Sequence, residues 1–137
     1  MPKSESCFVD TNAILRYLLK DVPEQFAAAQ EFFEEVRTGR RKAVILESVV
    51  VECLHVLTKF YGVPRQDAAA PLGELLRYRG IANHDTRVLL MALDLFARTT
   101  LDPVDCLLAA CVKQGAGKLF TFDKALAKAA GSVNSDG

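Results

Sequence analysis

Short apolar runs alternate along the chain with longer segments whose apolar residues recur at helical spacing. The runs at residues 7–9 and 43–46 are continuous rather than alternating, as expected of parallel strands that are covered on both faces. Residues 81–83 predict a weaker strand, and residues 118–121 predict a final one. Strands separated by helices are typical of an α/β fold, here a three-layer α/β/α sandwich around a short, mostly parallel central sheet.

Apolar stripes predict a helix in each intervening segment, at residues 12–19, 23–36, 48–60, 66–78, 87–98, 103–115 and from 124 onward. Ser48 is expected to cap the third of these helices, and Pro71 to bend or restart the fourth. The pattern predicts a single domain over residues 1–137, with a mobile tail from about residue 131. It leaves open whether a last strand follows Gly131.

Composition narrows the class of protein. Half of the 137 residues are hydrophobic and a quarter are charged, which is typical of a globular domain, and no stretch is apolar and long enough to span a bilayer. Residues 1–6 lack the apolar core of a secretory signal, so a cytoplasmic protein with no membrane partner is expected. The 17 Lys and Arg residues balance the 17 Asp and Glu residues, so the net charge does not attract nucleic acid. Any nucleic acid must therefore bind at a local basic patch.

One such patch is the basic turn at residues 37–42, which carries three arginines and a lysine. It is a candidate contact for RNA phosphates, although a solvated loop explains the same residues.

The four cysteines do not form a recognisable metal or disulfide motif. They show no C-x-x-C pairing, lie in apolar segments and have only two histidines as possible co-ligands. We interpret all four as free thiols in the protein core, namely Cys7, Cys53, Cys106 and Cys111.

Four carboxylates carry the candidate chemistry. Asp10 and Asp123 follow predicted strands, whereas Glu52 and Asp105 lie in the first turns of predicted helices. Ligands of open parallel sheets bind outside the carboxyl ends of the strands. Two like charges about 4 Å apart repel by roughly 4 kcal/mol at an effective dielectric constant of ~20, so four converging carboxylates require a cation. Without a cluster of histidine or cysteine, Mg²⁺ or Mn²⁺ fits best.

A divalent ion held in this way suits phosphodiester hydrolysis, because it lowers the pKa of bound water and neutralises charge on the leaving oxygen. Asn12 or Thr121 could orient a water or a phosphate oxygen. Taken singly, Asp10 and Asp123 also fit a turn residue or a helix cap. Glu52 is the hardest acid to explain in this way, because its apolar neighbours predict a largely buried helix.

Four blocks of the sequence, in order, resemble the PIN-domain nucleases and in particular their VapC-type toxin branch: residues 8–19, 49–57, 102–110 and 119–124. The resemblance implies that Asp10, Glu52, Asp105 and Asp123 are the metal ligands, with Asn12 and Thr121 as polar helpers. Asp102 is a weaker candidate than Asp105, because we expect it to cap a helix.

The resemblance further implies a Mg²⁺- or Mn²⁺-dependent endoribonuclease that acts on RNA as the toxin of a toxin–antitoxin pair. Relatives of this kind are often homodimers and are held inactive by a cognate antitoxin whose C-terminal segment packs over the acidic site. Two alternatives stay open. One is a non-catalytic RNA- or protein-binding module on the same fold. The other is a phosphatase with Asp10 as nucleophile, although position 12 lacks the second acid that such a motif requires.

Overall fold

The computed structural model describes residues 5–131, and the expected mobile tail and any strand after Gly131 fall almost entirely outside that range. The described residues form two strands and seven α-helices. These are β1 (Ser6–Phe8), α1 (Thr11–Leu19), α2 (Pro23–Thr38), β2 (Lys42–Val44), α3 (Glu47–His55), α4 (Arg65–Leu76), α5 (Thr86–Arg98), α6 (Pro103–Lys113) and α7 (Lys124–Ala129). A π-helical turn, Val56–Phe60, directly continues α3. Every predicted helix is therefore confirmed.

The sheet is short and parallel. β1 and β2 pair in the register Ser6 with Lys42, Cys7 with Ala43 and Phe8 with Val44. The predicted fold class is confirmed, since a short, open parallel sheet lies among helices as in an α/β sandwich. The third predicted strand is reduced to one parallel bridge between Ile81 and Ala43.

A side chain replaces the backbone of that third strand. Ala43 N donates to Gly80 O at 2.9 Å, and Ala82 N donates to Ala43 O at 2.8 Å. Just beyond the end of β2, the amide of Asn83 takes over: its Oδ1 accepts from Ile45 N at 2.9 Å and its Nδ2 donates to Ile45 O at 2.6 Å. Asn83 thus satisfies both backbone groups of a buried residue that no strand reaches.

Replacing Asn83 with Ala should lower the free energy of unfolding by about 2–4 kcal/mol, because two partly buried backbone groups of Ile45 lose their partners. Urea denaturation followed by circular dichroism measures the change. Asn12→Ala is the matched control, since Asn12 is exposed and should shift the free energy by less than about 0.5 kcal/mol. Equal stability of the two variants would contradict this account of Asn83.

The final strand predicted at residues 118–121 is wrong. The backbone there is not assigned to a strand, and only Leu119 reaches the core, whereas Phe120 and Phe122 are 83% and 91% exposed. The short apolar run that predicted a strand is present. A strand also needs a neighbouring strand to which its backbone N–H and C=O groups can hydrogen-bond, and the pattern of apolar residues does not show whether one is present.

Helices supply most of the core. α5 packs between α4 and α6, and α3 contacts α1, α4 and α6. The largest fully buried side chains include Phe33 of α2 and Phe96 of α5. Among residues 5–131, no helix combines the length and the apolar character that crossing a bilayer requires.

Two local predictions about helices are corrected. Ser48 is not the cap of α3, which begins at Glu47 with Leu46 at the cap position and no side-chain cap hydrogen bond. α4 passes through Pro71 as one continuous helix from Arg65 to Leu76. Proline cannot donate to the residue four positions earlier, yet packing of the helix on α5 keeps the segment helical.

Candidate metal site

Asp10 lies between β1 and α1, where it is exposed and caps the helix. One carboxylate oxygen accepts a hydrogen bond from Ala13 N at 2.9 Å, which satisfies a backbone donor that the first turn leaves free. The cap uses only one of the two oxygens. The second oxygen remains available for a ligand.

Asp123 repeats the arrangement at α7. Its carboxylate accepts from Leu126 N at 3.1 Å, and its own backbone N donates to Thr121 Oγ1 at 3.0 Å. Thr121 therefore shapes the turn that presents Asp123. Asn12 lies in the first turn of α1 and is exposed.

Glu52 is exposed on α3, contrary to the expectation of a largely buried helix position. The neighbouring Cys53 and Leu54 point into the core instead. Three consecutive residues of a helix cover most of its circumference, so an apolar sequence neighbourhood does not bury every member.

The Cys53 thiol is affected by the charges of both Asp10 and Glu52. Burial raises the pKa of the Cys53 thiol to about 12, and the negative charges of Glu52 and Asp10 add to the rise. The thiol is consequently protonated and unreactive at neutral pH. All four cysteines are free, with Cys53 and Cys106 fully buried and the other two partly so, which largely confirms the interpretation of the cysteines.

Asp105 belongs to a second group of acids. It lies in the first turn of α6, and its pKa is raised, first by burial and then by the negative charges of Asp102 and Asp123. Asp102 occupies the cap position of α6 but makes no capping hydrogen bond with its side chain. The expected capping hydrogen bond of Asp102 is therefore absent, and the ranking of Asp105 above Asp102 as a ligand stays a prediction.

The structure thus places Asp10 and Glu52 where both charges act on Cys53, and Asp102 and Asp123 where both act on Asp105; α3 packs on both α1 and α6. It does not close them into one cluster: in the described part of the chain no three side chains of His, Cys, Asp or Glu are grouped closely enough to hold a metal ion. In kind, these all-oxygen donors fit a hard divalent cation, and the pKa of Asp105 is raised mainly by burial, with a further contribution from the charges of Asp102 and Asp123.

A comparison with protein families gives one match. The family model described as PIN domain matches residues 7–132. No curated protein sequence and no solved structure matches the chain significantly.

Proposed function

This chain belongs to the PIN-domain family, whose members are generally metal-dependent nucleases, and from that membership we propose that it is a Mg²⁺- or Mn²⁺-dependent endoribonuclease. The observation that carries the proposal is the acidic group around Asp105. There, burial and two neighbouring negative charges raise the pKa of a carboxyl group in a region that the family model covers. Carboxyl groups with such perturbed pKa values are typical of functional sites.

Asp10, Glu52, Asp105 and Asp123 would hold the ion, with Asp102 as an additional candidate. When bound, a divalent ion supplies a hydroxide-like nucleophile and neutralises charge on the phosphate. One of these carboxylates would accept the proton of the attacking water. Thr121 holds the turn before Asp123. Asn12, in the first turn of α1 after Asp10, is the candidate to orient a water or a phosphate oxygen.

We further propose that the enzyme acts in the cytoplasm as the toxin of a toxin–antitoxin pair, as a homodimer, with an antitoxin segment covering the acids. The resemblance to VapC-type toxins supports this role, and four free thiols suit a reducing compartment. Val104 and Leu108 lie four residues apart on α6 and are both exposed, which offers an apolar face beside Asp105 for a second chain.

The test is cleavage of single-stranded and structured RNA with Mg²⁺ or Mn²⁺, compared with the same reactions in EDTA. Metal-dependent cleavage supports the proposal, and metal-independent cleavage or none rejects it.

The separation of the acids into two groups favours a second candidate, a non-catalytic RNA-binding module. That candidate predicts RNA binding that is unchanged by acid substitutions and no turnover.

The basic turn gives a prediction about RNA affinity. Arg37 and Arg41 are already paired with Glu34 and Glu35, whereas Arg40 and Lys42 are exposed and form no ion pair within residues 5–131. If the turn binds RNA, replacing Arg40 and Lys42 with Gln should reduce the slope of log affinity against log salt by about 1.4, or 0.7 for each lost phosphate contact.

Fluorescence anisotropy at several salt concentrations measures that slope. Arg87→Gln, which removes one exposed charge from the start of α5, is the control and should leave the slope unchanged. An equal slope in the double variant and the wild type would remove the basic turn from the RNA-binding surface.

A further inference from the structure

Two aromatic rings project into solvent where the π-helical turn ends. Phe60 is 78% exposed and Tyr61 is 40% exposed, and their ring centroids lie 5.0 Å apart at an interplanar angle of 79°. Leaving such rings in water is unfavourable, because a buried aromatic side chain contributes a large hydrophobic stabilisation. π-Helical turns are also frequent at functional sites.

Two positively charged side chains accompany the ring pair: Arg16 contacts Tyr61, and Lys59 precedes Phe60 in the sequence. Arg16 Nη2 donates to the Tyr61 hydroxyl at 3.2 Å, while Arg16 Nη1 pairs with Asp21 at 3.2 Å. The hydrogen bond restrains the Tyr61 side chain before any ligand arrives, which lowers the entropy lost on binding. Lys59 is exposed, and within the described residues it forms no ion pair. The surface therefore combines π-faces with a free positive charge.

The rings lie at the end of the continuous helical segment that carries Glu52. α3 packs on α1, which begins after Asp10, and Arg16 of α1 contacts Tyr61. At about 1.5 Å per residue, Arg16, whose guanidinium contacts Tyr61, lies about 9 Å along α1 from Asp10. That span corresponds to about three stacked nucleotides at 3.4 Å each.

We propose that Phe60 and Tyr61 form a stacking platform for a base of the single-stranded RNA substrate, about three nucleotides from the phosphodiester at the acids. The inference rests on the proposed ribonuclease function. Aromatic side chains beside cations are the usual means by which proteins hold single-stranded nucleic acid, because every base has a π-face and every linkage has a negative charge. Two rings offer much less area than the roughly 800 Å² per partner of a stable protein interface.

The chain contains no tryptophan, so Phe60→Trp provides a fluorescent reporter at a single position. In EDTA, with cleavage suppressed, adding a single-stranded RNA of about eight nucleotides should quench the emission of the introduced indole. An RNA of the same length with abasic residues should not. Phe60→Leu, which keeps an apolar side chain but removes the ring, should weaken binding of the normal RNA by about tenfold and leave binding of the abasic RNA unchanged.

Phe26→Leu is the matched control, because Phe26 also lies beside a lysine, 5.6 Å from Lys20 Nζ, but outside the platform. It should bind normal RNA as the wild type does.

Equal RNA affinity of Phe60→Leu and the wild type would overturn the platform. A change of Phe60→Leu from dimer to monomer in analytical ultracentrifugation, without loss of RNA affinity, would also overturn it. Base-dependent binding without metal-dependent cleavage would reject the ribonuclease alone, whereas cleavage with unaltered Phe60→Leu affinity would reject the platform alone.

Discussion

Asp10→Asn should lower the rate of metal-dependent RNA cleavage by about a hundredfold or more while leaving the free energy of unfolding within about 0.5 kcal/mol of the wild type. The two effects separate because the proposal assigns the Asp10 carboxyl group two tasks, capping α1 and binding the ion. Its oxygen caps α1 through Ala13 N, and Asn caps a helix about as well as Asp does. The amide, however, carries no negative charge with which to hold a divalent ion.

The same reasoning applies to Asp123, which caps α7 through Leu126 N. Ala at either position should lose both tasks, with about 1 kcal/mol of stability lost in addition to the activity. Asp67→Asn is a suitable control, because Asp67 is an exposed acid in the first turn of α4, remote from the site in sequence. Initial rates on a fluorescent RNA and urea denaturation provide the two measurements. A fully active Asp10→Asn enzyme would refute the metal-site assignment.

Adding Mn²⁺ at a hundred times its dissociation constant should stabilise the folded wild type by about 2.7 kcal/mol, equivalent to a rise in Tm of roughly 5–10 °C for a chain of this size. The physical reason is that the ion would bind the folded protein and not the unfolded chain. Asp105→Asn should abolish most of this rise. Differential scanning calorimetry with and without Mn²⁺ measures it, and an undiminished rise in the variant would show that the ion binds elsewhere.

The raised pKa of Asp105 predicts that the stability of the metal-free protein depends on pH. Its pKa is raised in the folded state, so the folded protein binds the proton more tightly than the unfolded chain does. The contribution to stability is fully present below the unfolded pKa and is lost as the pH rises through the folded value. At neutral pH, metal-free Asp105→Asn should therefore be at least as stable as the wild type, although it cannot hold the ion.

The helices were predictable because each has a local signature. Pro23 and Pro103 begin helices, Gly39 follows the end of α2 in a left-handed conformation, and α5 carries a complete apolar stripe. The predicted sites of Asp10, Asp105 and Asp123 at element boundaries follow from these same signals. Their roles as ligands stay a prediction.

Features that depend on a distant partner were not predictable. Asn83 substitutes for a strand by bonding to Ile45, thirty-eight positions earlier, and its own sequence neighbourhood contains no sign of that contact. Gly80 is required because a Cβ there would lie 2.0 Å from Arg41 O. The missing strand at residues 118–121 and the exposure of Glu52 have the same origin, since edge pairing and helix orientation are decided by tertiary packing.

Three of the acids stand at helix starts: Asp10 at α1, Asp105 at α6 and Asp123 at α7. The N-terminus of a helix carries roughly half a positive charge, so the backbone itself shields part of the acidic group. The polypeptide can accordingly reach its folded form before any ion arrives. Fluctuations in the cell's supply of Mg²⁺ or Mn²⁺ would then switch catalysis on and off in a population of molecules that stays intact.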